Sequence, residues 1–461
     1  MSALSHAGSS PVVGGAIAVA TGVAAAVAYR VAGSSSAVAI VGAFIALSCA
    51  VLVLRRPEYG VVVMLLALPL DIAGRIISEP VAVTVYHLSL LLMLIAWTRA
   101  WLRAPADNRP RVSVLDIGIA TLVAAAIWSL PGSLNPSVTL VSITRLVFLW
   151  LFFLSVVTFV RTERDALRVV ATVVFTAAAS AMLAFAQGRI ADFPIGTTHL
   201  DYTLGEVAQV RPSAFFEDPN LLGTFLSVAV IAALAQAIHA RRWVDALTWL
   251  VASAVCGAGL IVTLSRTAFV GVALGLVVLV LTAPRRRRAW LAGAGLSIAV
   301  IAVIMAPGAI VSRAESIFDI QHDSSIRTRY LMLGSTVEMI RDDWVWGTGL
   351  GAYERAYPAY RKPGALTSIT KPHQLPLAMW AEMGIVGLIA ELLIVGGVVA
   401  VIRRRRHRGW NVYEALGVAG FLAVLVQSLF QYYLYFEYLW LFLALTVAAT
   451  RFTRDAEEVS A

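Results

Sequence analysis

Asn220-Leu-Leu-Gly-Thr-Phe-Leu-Ser-Val-Ala-Val-Ile-Ala-Ala-Leu-Ala-Gln-Ala-Ile238 contains no charged residue and runs straight into His239-Ala-Arg-Arg242. A helix needs roughly 20 apolar residues to cross the hydrocarbon core of a bilayer, and this stretch has that length. Inside lipid every backbone polar group must be satisfied within its own segment, so the run reads as a helix. Similar runs recur along the chain. Spans are expected near 12–31, 37–54, 60–77, 81–101, 114–131, 138–160, 168–188, 220–238, 243–263, 267–283, 289–306, 375–402, 411–430 and 434–450. The third is interrupted by Pro69, Asp71 and Arg75. Transmembrane strands would be shorter and would alternate in polarity, a pattern not seen here. The expected fold is therefore all-α, a polytopic membrane bundle of about 12–14 helices.

Composition points the same way. Hydrophobic residues make up 59% of the 461, above the roughly half expected of a soluble domain, so the length is not read as several soluble domains. The formal charge of +9 does not indicate nucleic acid, because the excess arginine sits in short loops between apolar runs. Arg55–Arg56, Arg99–Arg111, Arg161–Arg168, Arg241–Arg242, Arg285–Arg288, Arg403–Arg408 and Arg451–Arg454 fall on one side when both termini are cytoplasmic. That is the inside-positive bias of a multi-pass protein of the cytoplasmic (inner) membrane. The first apolar run lacks a basic flank and a persuasive cleavage site, so Val12–Val31 is expected to be a retained helix. Cys49 and Cys256 lie inside apolar runs and suggest neither a disulfide framework nor a metal site.

Four regions follow: N-terminal helices over 1–200, helices carrying Arg211 and Arg266 over 201–306, a large extracytoplasmic loop over 307–374, and C-terminal helices with a short cytoplasmic tail over 375–461. The large loop holds both lysines of the chain, Lys362 and Lys371. Within it Ile326, Tyr330, Leu333, Val337 and Ile340 recur at helical spacing after Ser324 and Ser325, either a fitting N-cap, which predicts an amphipathic helix. Gly347, Gly349 and Gly351 punctuate a turn beyond it.

Three charged positions oppose the inside-positive bias. Arg211 opens Arg211-Pro-Ser-Ala-Phe-Phe-Glu-Asp-Pro-Asn220, which leads into a span. Asn220 can cap that helix, Glu217 and Asp218 suit its positive end, and Arg211 either pairs with those carboxylates or binds a ligand; the two roles can coexist. Arg266 lies in the tight turn Leu264-Ser-Arg-Thr267, where it either snorkels to headgroups or uses its planar fork on phosphate oxygens. His373, in Lys371-Pro-His-Gln374, is either an interfacial hydrogen-bonding group or an acceptor for a hydroxyl proton near neutral pH. Glu382 either orients His373 or pairs within the bundle. Arg327 and Arg329 either extend a basic rim or face solvent and headgroups. Trp344 and Trp346 read first as an interfacial belt. Asp71, Arg75, Arg145 and Glu437 read as intrabundle pairs, with a lining role in a lipid-headgroup channel as the alternative. No metal-ligand spacing, nucleotide-binding loop or nucleophile elbow is present, so no metal or other cofactor is expected.

Arg211–Asn220, Leu264–Thr267, Trp344-Val-Trp-Gly-Thr-Gly-Leu-Gly351, His373 and Trp380-Ala-Glu-Met-Gly-Ile-Val-Gly387 together resemble the O-antigen ligase and polysaccharide polymerase superfamily over roughly 205–400. The resemblance implies a GT-C-type membrane glycosyltransferase that needs no metal. Such an enzyme moves a glycan from a polyprenyl pyrophosphate carrier to a hydroxyl of a glycan, glycolipid or protein acceptor, outside the cytoplasmic membrane. It implies pyrophosphate binding by Arg211 and Arg266, less securely by Arg327, and catalysis by His373. Gln374 stands where many relatives have asparagine. Glu217 and Asp218 are alternative bases. Supporting roles are expected of Glu217, Asp218 and Glu382. A transporter or flippase of lipid-linked glycans is the competing class, but it would want polar midplane residues and repeat symmetry, and the middle spans are poor in both.

Overall fold

A computed structural model describes residues 49–50, 52–70, 75–77, 83–103, 114–190, 196–201, 209–285, 287–289, 293, 324–367, 370–405 and 409–460. The spans expected at 12–31, 37–54 and 289–306 lie wholly or largely outside them, as do Asp71 and the first part of the long loop.

The chain is an all-α polytopic membrane bundle. In order, the helices are α1 (Pro57–Ala67), α2 (Val85–Arg103), α3 (Val114–Trp128), α4 (Pro136–Phe159), α5 (Glu163–Arg189), α6 (Pro219–His239), α7 (Trp243–Thr263) and α8 (Arg266–Thr282). Then come α9 (Ser324–Asp342), α10 (Tyr353–Tyr360), α11 (Leu375–Arg405), α12 (Val412–Ser428) and α13 (Glu437–Ser460). Among them α4, α5, α6, α7 and α11 are both long and apolar enough to cross a membrane, and α1, α2, α3, α8 and α12 are shorter apolar helices.

α6 forms the centre of the bundle. It is apolar all round and buried along nearly its whole length, as a helix enclosed by others should be. It packs against α5, α7, α8 and α12. Small residues permit the approach: Gly259 of α7 lies over Ala181 of α5, and Gly275 of α8 lies over Ile231 of α6. Without a hydrophobic drive between helices in lipid, such close backbone packing is a main source of association.

Two antiparallel hairpins depart from the purely helical expectation. β1 (Arg75–Ile77) pairs with β2 (Val83–Thr84), and β3 (Thr197–Asp201) with β4 (Gln209–Ala214). The first explains the faulty third span: α1 stops at Ala67 and a short 3-10 turn follows over Leu68–Leu70 around Pro69, which cannot continue the ladder of helical bonds. The second hairpin occupies the loop before α6, with Arg211 opposite His199 in register.

The turns sort to opposite ends. At one end Asn411 Nδ2 donates to Glu163 Oε1 (3.1 Å), Arg405 pairs with Glu414 (2.5 Å), and Arg451 donates to the Val157 carbonyl (2.9 Å). This end gathers arginine-rich turns. At the other end Leu134 N–H donates to Thr348 O (3.0 Å), Leu350 N–H to Ser129 Oγ (3.2 Å), and Arg211 Nε to Thr263 O (2.9 Å). Here lie Arg211, Arg266 and His373.

α11 is not one straight helix. Gly384 has φ 62° and ψ −161°, which breaks it after three turns. A Cβ at this position would overlap the Val345 carbonyl, and one at Gly347 would sit 2.5 Å from the Glu382 carbonyl carbon. The glycine turn and the kink therefore occupy each other's side-chain space. Two backbone bonds seal them: Thr348 N–H to Ala381 O and Gly349 N–H to Glu382 O, each 2.9 Å.

Gly384→Ala is expected to destabilise the protein by about 1–3 kcal/mol, since it forces an L side chain into a strained, filled position. Gly396→Ala lies on the same helix with nothing within 4 Å and should be neutral or slightly stabilising, because Ala is the better helix former. Melting midpoints of the purified proteins in detergent compare them; equal midpoints would refute the interlock.

Candidate functional site

The amphipathic helix expected over the large loop is α9. With α10 it forms a small second core against the start of α11: Met332, Met339, Ile340, Tyr353 and Tyr357 pack with Ala381. Polar links complete the seam. Thr336 Oγ1 lies 2.6 Å from the Tyr353 hydroxyl and accepts from Gln374 Nε2 at 2.7 Å. Gln374 is thus fixed to the loop helix.

Glu382 is 2% exposed and fully engaged. Its Oε1 accepts from Gly351 N–H (3.0 Å) and Tyr353 N–H (3.2 Å), and its Oε2 from the Tyr432 hydroxyl (2.7 Å). It positions backbone, and the orienting partner of His373 is elsewhere: His373 Nδ1 lies 3.3 Å from Gln431 Oε1. With the amide oxygen as acceptor, the imidazole carries its proton on Nδ1 and leaves the Nε2 lone pair available.

Gln431 and Tyr432 come from the non-helical segment 429–436 between α12 and α13. α12 ends inside the bundle. Gln427 near its end meets Ser227 (3.1 Å) and Thr224 (2.8 Å), five to eight residues into α6, or about 8–12 Å along its axis. The Thr224 hydroxyl also lies 2.9 Å from that of Tyr433. Irregular backbone at such depth needs polar partners or a cavity. It has both, because Gln431, Tyr432, Tyr433 and Tyr435 line a cavity of about 980 Å³.

That cavity brings together His373, Lys371, Glu217, Asp218 and Glu382. Arg211, Arg266 and Arg327 are not in its wall. Arg211 and Arg266 share one corner beside it. Leu264, in a left-handed conformation (φ 54°), ends α7, and Arg266 begins α8 after Ser265. Arg211 Nε donates to Thr263 O (2.9 Å) and its Nη2 to Asn220 Oδ1 (3.1 Å). Asn220 is therefore not the cap of α6; Asp218 is, accepting from Asn220 N–H at 2.5 Å with Pro219 at the first helical position. β4 holds Arg211 in place because Gln187 of α5 bonds both backbone groups of Ala214.

Arg327 is exposed and lies against Gly364. Arg329, two residues on and so on nearly the opposite helix face, is half-buried and within electrostatic reach of both His373 and Tyr433. Arg211 and Asp218 also reach Tyr433. Sequence reading singled out Arg327 as a pyrophosphate ligand and left Arg329 only a place on the basic rim; the helical register turns Arg329 rather than Arg327 toward His373. It also passed over Gln431-Tyr-Tyr-Leu-Tyr435, whose polar and aromatic content between two apolar runs was the available signal.

Burial and the Arg329 charge hold the His373 imidazolium form down, to a pKa of about 4, with Gln431 and Asp218 opposing them. The imidazole is thus neutral at physiological pH and can accept a proton. In a histidine-labelled sample followed by NMR, His373 should stay neutral until the pH nears 4. Arg329→Gln should raise its pKa by removing a repelling cation, and Asp218→Asn should lower it by removing an attracting anion. Titration near 6.5, unmoved by either change, would contradict the described surroundings.

No curated protein matches the chain. A family does match, from within α7 to the first half of α11, a stretch that includes Arg266, Arg327, Arg329, His373 and Glu382 and leaves out Arg211, Glu217 and Asp218. The resemblance read from the sequence is thereby shown for this segment: residues 250–392 match the O-antigen ligase family, Wzy_C.

Proposed function

We propose that this protein transfers a glycan from a polyprenyl pyrophosphate carrier to a hydroxyl acceptor at the extracytoplasmic face of the cytoplasmic membrane. The family match supports the coarser reading, an O-antigen ligase- or polymerase-like membrane glycosyltransferase acting on lipid-linked glycan and acceptor. The carrying observation is His373, neutral and held at Nδ1 by Gln431, in the wall of a large cavity flanked by arginines. The arginine-rich turns at the opposite end of the bundle support an outward-facing site through the inside-positive bias.

The step balances without a metal or nucleotide. His373 Nε2 takes the acceptor hydroxyl proton as that oxygen forms a bond to the anomeric carbon. The bond from this carbon to the pyrophosphate oxygen breaks, and its electron pair leaves with the carrier. Attack from the opposite face inverts the anomeric centre. Arg211 and Arg266 meet the growing negative charge; fixed guanidinium groups in a partly dry site suit that task. Arg329 joins them on the geometry, and Arg327 is the weaker candidate. Asp218 caps α6 and Glu382 fixes the glycine turn; both act by positioning. Glu217, exposed in the cavity wall, remains the carboxylate alternative to His373.

Arg211→Ala or Arg266→Ala should abolish transfer in purified, membrane-inserted protein, a loss of at least about 100-fold on the scale of a removed charge stabiliser. His373→Ala should lower turnover by about 100-fold or more while carrier binding holds. Unchanged transfer by His373→Ala would remove it from catalysis. In cells lacking the protein, carrier-linked polymer would indicate a ligase and single carrier-linked repeats a polymerase. Accumulation on the cytoplasmic leaflet would instead indicate a flippase.

A further inference from the structure

One wall of the cavity is a single face of α4. Asn135, Val138, Ser142, Arg145, Phe148 and Leu149 line it, and their spacing of three and four residues keeps them on one side of the helix. Arg145 lies ten residues beyond Asn135, about 15 Å along the axis, in a helix of membrane-crossing length. Unlike Arg211 and Arg266 it stands in the cavity wall itself. It is exposed, and among the described residues its guanidinium has no hydrogen-bond or ion-pair partner. Glu437 lines the same cavity but is engaged elsewhere. A charge held within a span and turned to a cavity marks a functional position by default.

A second donor accompanies it. His87 is half-buried in the first turn of α2, which begins at Val85. Its Nδ1 accepts from Thr84 N–H (3.2 Å) and lies 2.9 Å from Thr84 Oγ1. A ring nitrogen that accepts carries no proton, so the neutral imidazole has its N–H at Nε2. Among the described residues that N–H has no acceptor. His87 and Thr84 line the same cavity as Arg145, and Arg145 is within electrostatic reach of His87. A guanidinium fork, an unpaired ring N–H and the positive end of α2 thus belong to one region of the wall. All three favour an anion, and the fork matches the paired oxygens of a phosphate or carboxylate.

This region is separate from the surroundings of His373. Arg145 reaches His87 and Tyr435, whereas Arg329 and Asp218 reach His373 and Tyr433, and Arg211 reaches Tyr433. We propose a second oxyanion site in the cavity, in which Arg145 and His87 take a phosphate or carboxylate group of the substrate in addition to the contacts made at the Arg211 and Arg266 corner. This rests on the glycosyltransferase reading above. Two parts of such a substrate carry that chemistry, the carrier's pyrophosphate and an acidic sugar, and one experiment separates them.

Phenylglyoxal modifies accessible guanidinium groups, and peptide mass spectrometry reads each arginine of the full-length wild-type protein in nanodiscs, so no variant has to fold. Three probes are compared: geranyl pyrophosphate, tetragalacturonate and the neutral maltotetraose. Arg145 should be modified in the bare protein and protected by at least one of the two anionic probes, but not by maltotetraose. Protection by geranyl pyrophosphate assigns the site to the leaving group, and protection by tetragalacturonate assigns it to an acidic sugar. No modification in the bare protein, no protection by either anion, or equal protection by maltotetraose would overturn the site. Calorimetry with the protecting probe adds a second reading. Arg145→Gln should weaken its binding at least about tenfold, on the scale of one hydrogen bond to a charged group, and Arg145→Lys should weaken it less. Unchanged affinity in Arg145→Gln would also overturn the site. Failure of geranyl pyrophosphate to protect Arg211 and Arg266 would instead count against the transfer reading itself.

Discussion

The Glu382 carboxylate ties three parts of the chain at one point. Gly351 and Tyr353 bring the large loop, Tyr432 brings the segment between α12 and α13, and Glu382 itself stands on the first turns of α11. A carboxylate taken out of water is tolerated only when its oxygens are satisfied. Three donors on two oxygens meet that condition, and in doing so they set the walls of the cavity relative to one another. His373 follows from this arrangement. It lies nine residues before Glu382, and its partner Gln431 lies immediately before Tyr432. The imidazole and the residue that orients it are both indexed to the same buried carboxylate.

The kink at Gly384 makes that arrangement possible. A continuous helix would present the Ala381 and Glu382 carbonyls to its own next turn. The break frees them to accept from Thr348 and Gly349. The same logic applies to 429–436. Ending α12 short leaves backbone and side-chain polar groups at depth, which is tolerable only beside a cavity or polar neighbours. Thr224, Ser227 and Gln427 supply the neighbours, and the cavity supplies the rest.

Hydropathy alone identified the helices, because burying backbone in lipid permits little else. α9 was legible from its apolar spacing, observed as Ser324–Asp342. What escaped was set by tertiary partners. Nothing local to Arg211-Pro-Ser-Ala214 announces a strand; Gln187, far back in α5, fixes it there. Asp218 and Asn220 are both good caps by residue type, and Pro219 at the first helical position, with Arg211 engaging Asn220, decides between them. Arg327 and Arg329 are chemically identical, so only the face of α9 that meets the bundle separates them. Arg145 read as one half of an ion pair, with a lining role as the alternative; its exposure to a cavity is a property of the packing.

The electrostatics of the site bear on the order in which substrates act. Burial first, and then the Arg329 charge, keep the His373 imidazole neutral, and that low basicity makes it a poor proton acceptor. A pyrophosphate bound between Arg211 and Arg266 adds negative charge to the same neighbourhood. Negative charge favours imidazolium, so the base strengthens as the leaving group docks. On the proposed reading, the donor therefore prepares the base that will act on the acceptor, and a hydroxyl reaching the cavity first meets an imidazole with little tendency to take its proton. Water is such a hydroxyl. On the same reading, coupling base strength to occupancy of the anion site limits wasteful hydrolysis.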